Sequence, residues 1–261
     1  MRVLVVNADD FGFARDVNEG IVAAYRDGIL TSTTLMANGA AFEHAVEMAG
    51  ANPGLDVGCH LVLVGGPGQP ATVTDLIREL ALRRVDLYGQ LRRQVERILG
   101  AGIRPLHLDT HKHTHLLPPV LEAVARLSEE FGVPWVRRPF DLPLNGQRVP
   151  WRLRAVSRGL GVLRRRVQRV LAAHGCRMTD HFAGFQITGR LEASDVVRLI
   201  ESLPEGVTEF MVHPGYCTAE LRAARTRLKE SREQELRALV AAETREALGR
   251  CGVRLAGYRG L

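Results

Sequence analysis

The run His107-Leu108-Asp109-Thr110-His111-Lys112-His113-Thr114-His115 holds four of the chain's nine histidines. Imidazole fills a core poorly and is costly to bury unpaired, but it is the commonest metal ligand near neutral pH. His107, Asp109, His111, His113 and His115 stand at every second position, so an extended segment would present them on one face. Pro105 before the run and Pro118 and Pro119 after it argue against a helix through it. Adjacent carboxylates, Asp9 and Asp10, follow the aliphatic stretch 3–6 directly, though two like charges side by side repel. His60 lies within the apolar segment 56–64, and His213 stands between the segment 207–212 and Pro214-Gly215. A carboxylate and two imidazoles leave positions open on a divalent metal, as catalytic sites require. A second carboxylate beside them can act as general base on an activated water. A further histidine can protonate a leaving amine or steady an oxyanion. Together these groups could hydrolyse an amide or ester carbonyl.

The segments that must position these groups alternate in type. Residues 3–6 suit a parallel strand covered on both faces. A helix should follow with Asp16 and Glu19 as a capping box and Gly28 closing it. Strands are expected at 31–36, 56–64, in the histidine run, and at 134–139, 182–187, 207–212 and 252–256. Helices are expected at 40–51, over stretches reaching Leu99, after Pro119, at 194–202, and from a Ser231–Gln234 capping box to Leu248. Val120, Leu121, Val124 and Leu127 give the helix after Pro119 its core face. Such alternation predicts a parallel sheet with helices outside, and seven or eight units in this length suit a closed β/α barrel. In a barrel the C-terminal strand ends share one face, so Asp9, Asp10, His60, His111 and His213 would converge. No glycine-rich phosphate fingerprint follows the first strand. Arg137 and Arg138, at a strand end before Pro139, suit an anionic or carboxylate partner and are expected to bind substrate.

The chain has 261 residues, 46% hydrophobic and 25% charged, ordinary for a soluble globular protein. One domain spanning residues 1–261 is expected. Cys59, Cys176, Cys217 and Cys251 are scattered, so neither a disulfide framework nor a zinc knuckle is expected. The first residues lack a signal-peptide layout and no run is long enough to span a bilayer, so a cytoplasmic location is expected. The net charge of +6 is concentrated locally: residues 148–177 carry Arg152, Arg154, Arg158, Arg164, Arg165, Arg166 and Arg169 among helically spaced apolar residues. That stretch reads as a basic helix pair broken near Gly159 and Gly161. It is either a surface element packed by its leucines or a flap in peripheral contact with an anionic membrane. Nucleic acid is not an expected partner, because few aromatics are present there for stacking. The sequence is compatible with a homodimer.

The motifs Val6-Asn-Ala-Asp-Asp-Phe-Gly12, Leu30-Thr-Ser-Thr-Thr-Leu-Met36, Val57-Gly-Cys-His60, His107-Leu-Asp-Thr-His111 and Val212-His-Pro-Gly215 extend over most of the chain. With them it resembles the YdjC-like carbohydrate deacetylases, the group that includes ChbG and HpnK proteins. The length of the arginine-rich segment is closest to the HpnK-type proteins of hopanoid biosynthesis clusters. The resemblance implies a distorted TIM-like barrel and a metal-dependent hydrolase that removes an acetyl group from an N-acetylated sugar or glycolipid. It implies one divalent ion, magnesium or zinc, with manganese, cobalt or nickel as alternatives. It implies Asp10, His60 and His111 as metal ligands, Asp9 as general base and His213 as catalytic acid. Asp109, His113 and His115 would support that shell. Two other readings compete: a phosphoesterase on the same barrel using a second metal, and a basic nucleic-acid-binding protein without catalysis.

Overall fold

A computed structural model describes residues 1–66, 68–142 and 149–261. Its first half runs β1 (Arg2–Phe11), α1 (Arg15–Asp27), β2 (Ser32–Leu35), α2 (Phe42–Gly50), β3 (Asp56–Leu61), α3 (Val73–Ala81), α4 (Leu87–Gly100), β4 (His107–Thr110), α5 (Pro118–Phe131) and β5 (Trp135–Val136). The second half runs α6 (Trp151–Leu160), α7 (Arg164–Ala173), β6 (His181–Ala183), α8 (Ala193–Glu201), β7 (Gly206–Val212), α9 (Ala219–Ala223), α10 (Glu230–Val240), α11 (Ala242–Cys251) and β8 (Arg254–Leu255).

The strands pair in parallel in the order β5-β4-β3-β2-β1-β7-β6. β8 pairs with Val3 and Leu4 of β1, below the point where β2 joins the same edge at Asn7. Isolated bridges Trp135–Arg177 and Asp141–Phe182 link the two ends of the order, so the sheet curls into a distorted α/β barrel with a seam between β5 and β6. The apolar stretch 3–6 is buried on both faces, as a strand between a filled barrel and a helix layer must be. α5 buries Val120, Leu121, Val124 and Leu127, starts on Pro118 and Pro119, and stops at Gly132 with φ 63°.

Several expected ends differ. Asp16 is not the cap of α1. It lies inside the first turn, and its carboxylate accepts from Thr218 N (2.8 Å) and Leu221 N (3.1 Å), tying α1 to the chain beyond β7. Ser231 and Gln234 form no capping box; the helix begins at Glu230, and the stretch to Leu248 breaks at Ala241 into α10 and α11. β6 ends at Ala183 because Gly184 takes φ 129° and a short 3-10 turn follows. The basic segment does form a helix pair, α6 and α7, joined by the 3-10 turn Gly161–Leu163; its expected first residue, Arg148, lies outside the described residues. α7 buries Val167 and Leu171, whereas α6 buries no residue. Among the described residues no helix is long and apolar enough to cross a membrane.

Candidate metal centre

Asp9 and Asp10 lie within β1, not after it. In a regular strand neighbours point to opposite faces. Here the register with β2 shifts between Ala8 and Phe11, and Asp10 takes φ 71°. This irregularity re-aims Asp10, so both carboxylates reach His60. Asp10 Oδ1 lies 3.5 Å from His60 Nε2, while Asp9, His60 and Asp109 have ligand atoms within 4.8 Å of one another.

The β3–β4 register makes His60 and Asp109 direct partners, which places Asp109 Oδ1 2.6 Å from His60 Nδ1. A carboxylate there fixes a proton on Nδ1, so Nε2 is the nitrogen that can offer a lone pair once its own proton is lost. Thr34 Oγ1 braces both groups, 3.3 Å from His60 Nδ1 and 3.3 Å from Asp109 Oδ2.

The histidine run does not stay extended. After Thr110 it becomes a 3-10 turn over His111–Leu116, with Lys112 and His113 left-handed at φ 54° and 51°. His111 Nδ1 still reaches the site, 3.3 Å from Asp10 Oδ1 and 3.3 Å from His60 Nε2. His113 instead packs edge-on against Phe182, with ring centroids 5.9 Å apart. Buried His115 bridges Thr110 Oγ1 (2.6 Å from Nδ1) and the Arg137 carbonyl (3.1 Å from Nε2). Burial, then Arg137, drives its pKa down to about 3, so it is neutral, and its Nε2–H donates to Arg137 O. His115 therefore braces the loop and Arg137, and neither it nor His113 joins the ligand cluster. His107, at the start of β4, stacks on Tyr258 at 3.9 Å and meets Asn7 Oδ1 through Nε2 at 3.0 Å. Gly58 makes room for it, since a Cβ there would lie 2.4 Å from His107 Cε1.

Arg137 does meet carboxylates, and in this structure they are the protein's own. Its side chain is fully buried. Nη2 and Nη1 hold both oxygens of Asp9 at 2.7 and 2.8 Å, Nη1 also meets Asp109 Oδ2 at 2.6 Å, and Nε donates to Glu209 Oε1 at 2.7 Å. Arg138, the next residue, is half-buried and lines a separate cavity. His213 follows β7, whose Val212 pairs with Ala8, so the histidine is level with Asp9. Its backbone N–H donates to Glu235 Oε2 at 2.6 Å, and its buried Nδ1 stands 3.9 Å from that oxygen without a hydrogen bond.

Burial alone would raise both aspartates. Arg137, followed by His60, reverses this at Asp9; Arg232 and the two facing imidazoles do so at Asp10, and both sit well below the usual carboxylate range. His60 is opposed by burial but pushed up by Asp109 to about 10. Burial holds His213 below its ordinary value against Glu235, Asp9 and Asp10. Glu209, raised by burial, sits near 7.

Asp10 Oδ2 pairs with Arg232 Nη2, but buried Oδ1 has no hydrogen-bond partner and faces the two ring nitrogens. Four donors about 2.1 Å from a zinc-like ion in a tetrahedron lie about 3.4 Å apart, so the separations among these three suit one shared cation. Asp10, His60 and His111 could therefore hold a divalent ion with positions left open. The second trio, Asp9, His60 and Asp109, is different: its carboxylates already face the Arg137 guanidinium.

Arg232, Glu209, Asn7 and Thr34 escaped the sequence reading. Glu209 left a signal, a lone charge in an apolar strand, and Thr34 a weak one. Asn7, which bridges Asp9 (3.1 Å) and His107 (3.0 Å), and Arg232, on a helix more than two hundred residues from Asp10, left none.

A curled parallel sheet with this buried cluster at its strand ends defines an α/β protein of the barrel class. The chain belongs to the YdjC-like family, whose pattern it matches over residues 3–250. It is 35% identical to a carbohydrate deacetylase of Brevibacillus brevis over 93% of each chain. It is 33% identical to a carbohydrate deacetylase of Geobacillus stearothermophilus over 99% of this chain and 97% of that one. The crystal structure of an Enterococcus faecalis protein, 24% identical, shares the fold with a TM-score of 0.76 over 99% of this chain and 98% of that one.

Proposed function

We propose that this protein hydrolyses the acetyl amide of an N-acetylated sugar or glycoconjugate with the help of one divalent ion. The observation that carries the reading is the buried, unpartnered Asp10 Oδ1 facing His60 Nε2 and His111 Nδ1. The deacetylase names of the full-length relatives supply the substrate class. Asp10, His60 and His111 would hold the ion; zinc, magnesium, manganese, cobalt and nickel all accept such donors. When bound, a divalent ion supplies Lewis acidity to the amide carbonyl and to the attacking water.

The chain's own residues do the rest. Asp9 is kept ionised by Arg137 and retains lone pairs beyond its two guanidinium bonds, so it can take the water's proton. Asp109 orients His60, and Arg137 fixes Asp9 relative to Asp109. His213 carries one N–H even when neutral, which suits it to steady the developing oxyanion, and the proton that Asp9 takes from the water supplies the leaving nitrogen, directly or through His213. A phosphoesterase with a second ion finds less support, because the guanidinium of Arg137 occupies the neighbouring carboxylate pair.

A lipid-linked substrate and peripheral membrane contact are supported by α6 and the turn after it, where Trp151 is 73% and Val162 82% exposed among arginines. Serine at both positions would then abolish co-sedimentation with anionic vesicles, and unchanged binding would refute that contact. The reaction itself is tested by acetate release from a panel of N-acetylated saccharides and glycolipids, with chelator and metal add-back. Release that stops with chelator and returns with metal is expected; release indifferent to chelator would overturn the metal's role.

A further inference from the structure

A cavity of about 500 Å³ lies at the β5–β6 seam, beside α6 and the start of α7. Arg138, Arg154, Arg158 and Arg164 line it, with Phe140 and Gln186. Arg137 and Arg138 are neighbours on extended chain, so their side chains diverge: Arg137 turns to the metal-site carboxylates and Arg138 to this cavity. Arg164 lies over the Phe140 ring, its guanidinium carbon 5.7 Å from the centroid.

The cavity is short of negative charge. Its two acidic residues are engaged with backbone: Asp141 accepts from Phe185 N (3.1 Å) and Gln186 N (2.8 Å), and Asp180 accepts from Val207 N (2.8 Å). Burial also brings Asp141 to about 7, so much of its charge is lost near neutrality. Among the described residues Arg138, Arg158 and Arg164 make no ion pair with a carboxylate, and Arg138 Nε is buried without a hydrogen-bond partner. Like-charged guanidiniums gathered on one concavity repel, and burial together with Arg164 lowers the pKa of Arg138 against the opposing attraction of the cavity's one exposed carboxylate, Asp180. A folded chain keeps such a cluster most readily when an anion completes it.

We infer that this cavity binds a phosphoryl group, held between the guanidiniums of Arg138, Arg158 and Arg164. A guanidinium offers paired N–H donors that match two oxygens of one phosphate, and a phosphate presents enough oxygens for several arginines at once. The volume has room for the group to which the phosphate is attached. That group is either a soluble sugar phosphate or the headgroup of an anionic lipid. The site is separate from the deacetylase reading and stands or falls on its own measurements.

The test is titration of the full-length protein with inorganic phosphate and with a hexose 6-phosphate, followed by calorimetry. Arg138→Gln and Arg164→Gln should each weaken saturable binding by about tenfold or more, the loss of one charge-assisted contact. Arg165→Gln removes the same charge from the same helix without lining the cavity and should change binding by less than about twofold. Arg164 is exposed, so its variant stays informative if Arg138→Gln fails to fold. Absence of saturable binding to either compound, or equal weakening in all three variants, would overturn the site. Vesicles containing phosphatidylglycerol separate the sources. Vesicle binding that free phosphate displaces and Arg164→Gln removes assigns a lipid headgroup, and tight hexose phosphate binding without vesicle binding assigns a soluble ligand. Vesicle binding weakened by Arg165→Gln and not by Arg164→Gln would place the attraction on the outer surface and overturn the cavity.

Discussion

Two neighbouring carboxylates face different cations. Asp9 has both oxygens on Arg137, whereas Asp10 gives one oxygen to Arg232 and leaves the other facing two imidazoles. The distinction between them is invisible in the pair Asp9-Asp10 itself, since nothing local says which arginine each meets. It is settled by φ 71° at Asp10, a left-handed backbone that asparagine or aspartate tolerates better than most residues. The grouping of Asp10, His60 and His111 was legible because polar residues interrupt or follow apolar strands, and their role as metal ligands is the proposal made above. The one-face alternation through His113 and His115 is not kept, because two left-handed residues fold a turn where extended backbone was expected. At this scale Asp109→Asn should weaken metal binding by about 10–100-fold, through loss of the charged acceptor at His60 Nδ1. Competition against a fluorescent chelator would measure it; unaltered affinity would show that Asp109 does not tune His60.

At the scale of elements, the helix and strand pattern was legible from apolar periodicity, and the ends were not. Asp16 and Ser231 looked like caps, yet Asp16 is recruited by the chain after β7, a contact no local pattern encodes. That contact belongs to the packing that sets His213. Gly20 of α1 touches Gly215 so closely that a Cβ at residue 20 would stand 2.4 Å from Gly215 Cα. Gly20→Ala must push backbone from backbone, at a cost on the order of 1–3 kcal/mol. It should lower the melting temperature by several degrees. If His213 has its proposed role, turnover should fall as well. Unchanged melting in a thermal scan would contradict the packing. Arg137→Met removes the one cation shared by Asp9, Asp109 and Glu209. Stranding buried carboxylates costs about 3–5 kcal/mol, so this variant should melt far below the parent, and a parent-like melting curve would contradict the network.

At the scale of the molecule, the curled sheet gathers onto one end residues spread from Asp9 to His213, and Arg232 closes the set from a helix. Strand-helix alternation revealed the barrel; the seam did not show, because β5 and β6 are two and three residues long and are linked only by bridges to flanking residues, Trp135 to Arg177 and Phe182 to Asp141. If Asp10, His60 and His111 hold the proposed ion, its loading depends on pH. In the metal-free protein His60 titrates near 10, above the ordinary histidine value of 6.5. A metal must displace that proton, so apparent affinity should rise about tenfold per pH unit between roughly 6.5 and 10. The sign for stability is opposite: the raised pKa favours the metal-free fold below about 6.5, and that contribution is lost as pH rises toward 10. Metal titrations at pH 6.5, 7.5 and 8.5 would reveal the slope, and a flat profile would show that no such proton is displaced.

On the proposed reading Asp10, His60 and His111 hold a metal while Asp9 serves as base. Metal content by elemental analysis, with acetate release on the same samples, tests it most directly for Asp9→Asn and His111→Ala. Asp9→Asn should keep its metal and lose turnover by about 10²–10⁴-fold, the range for removal of a general base. His111→Ala should lose both. Equal metal loss in the two variants, or near-normal turnover in Asp9→Asn, would contradict the account.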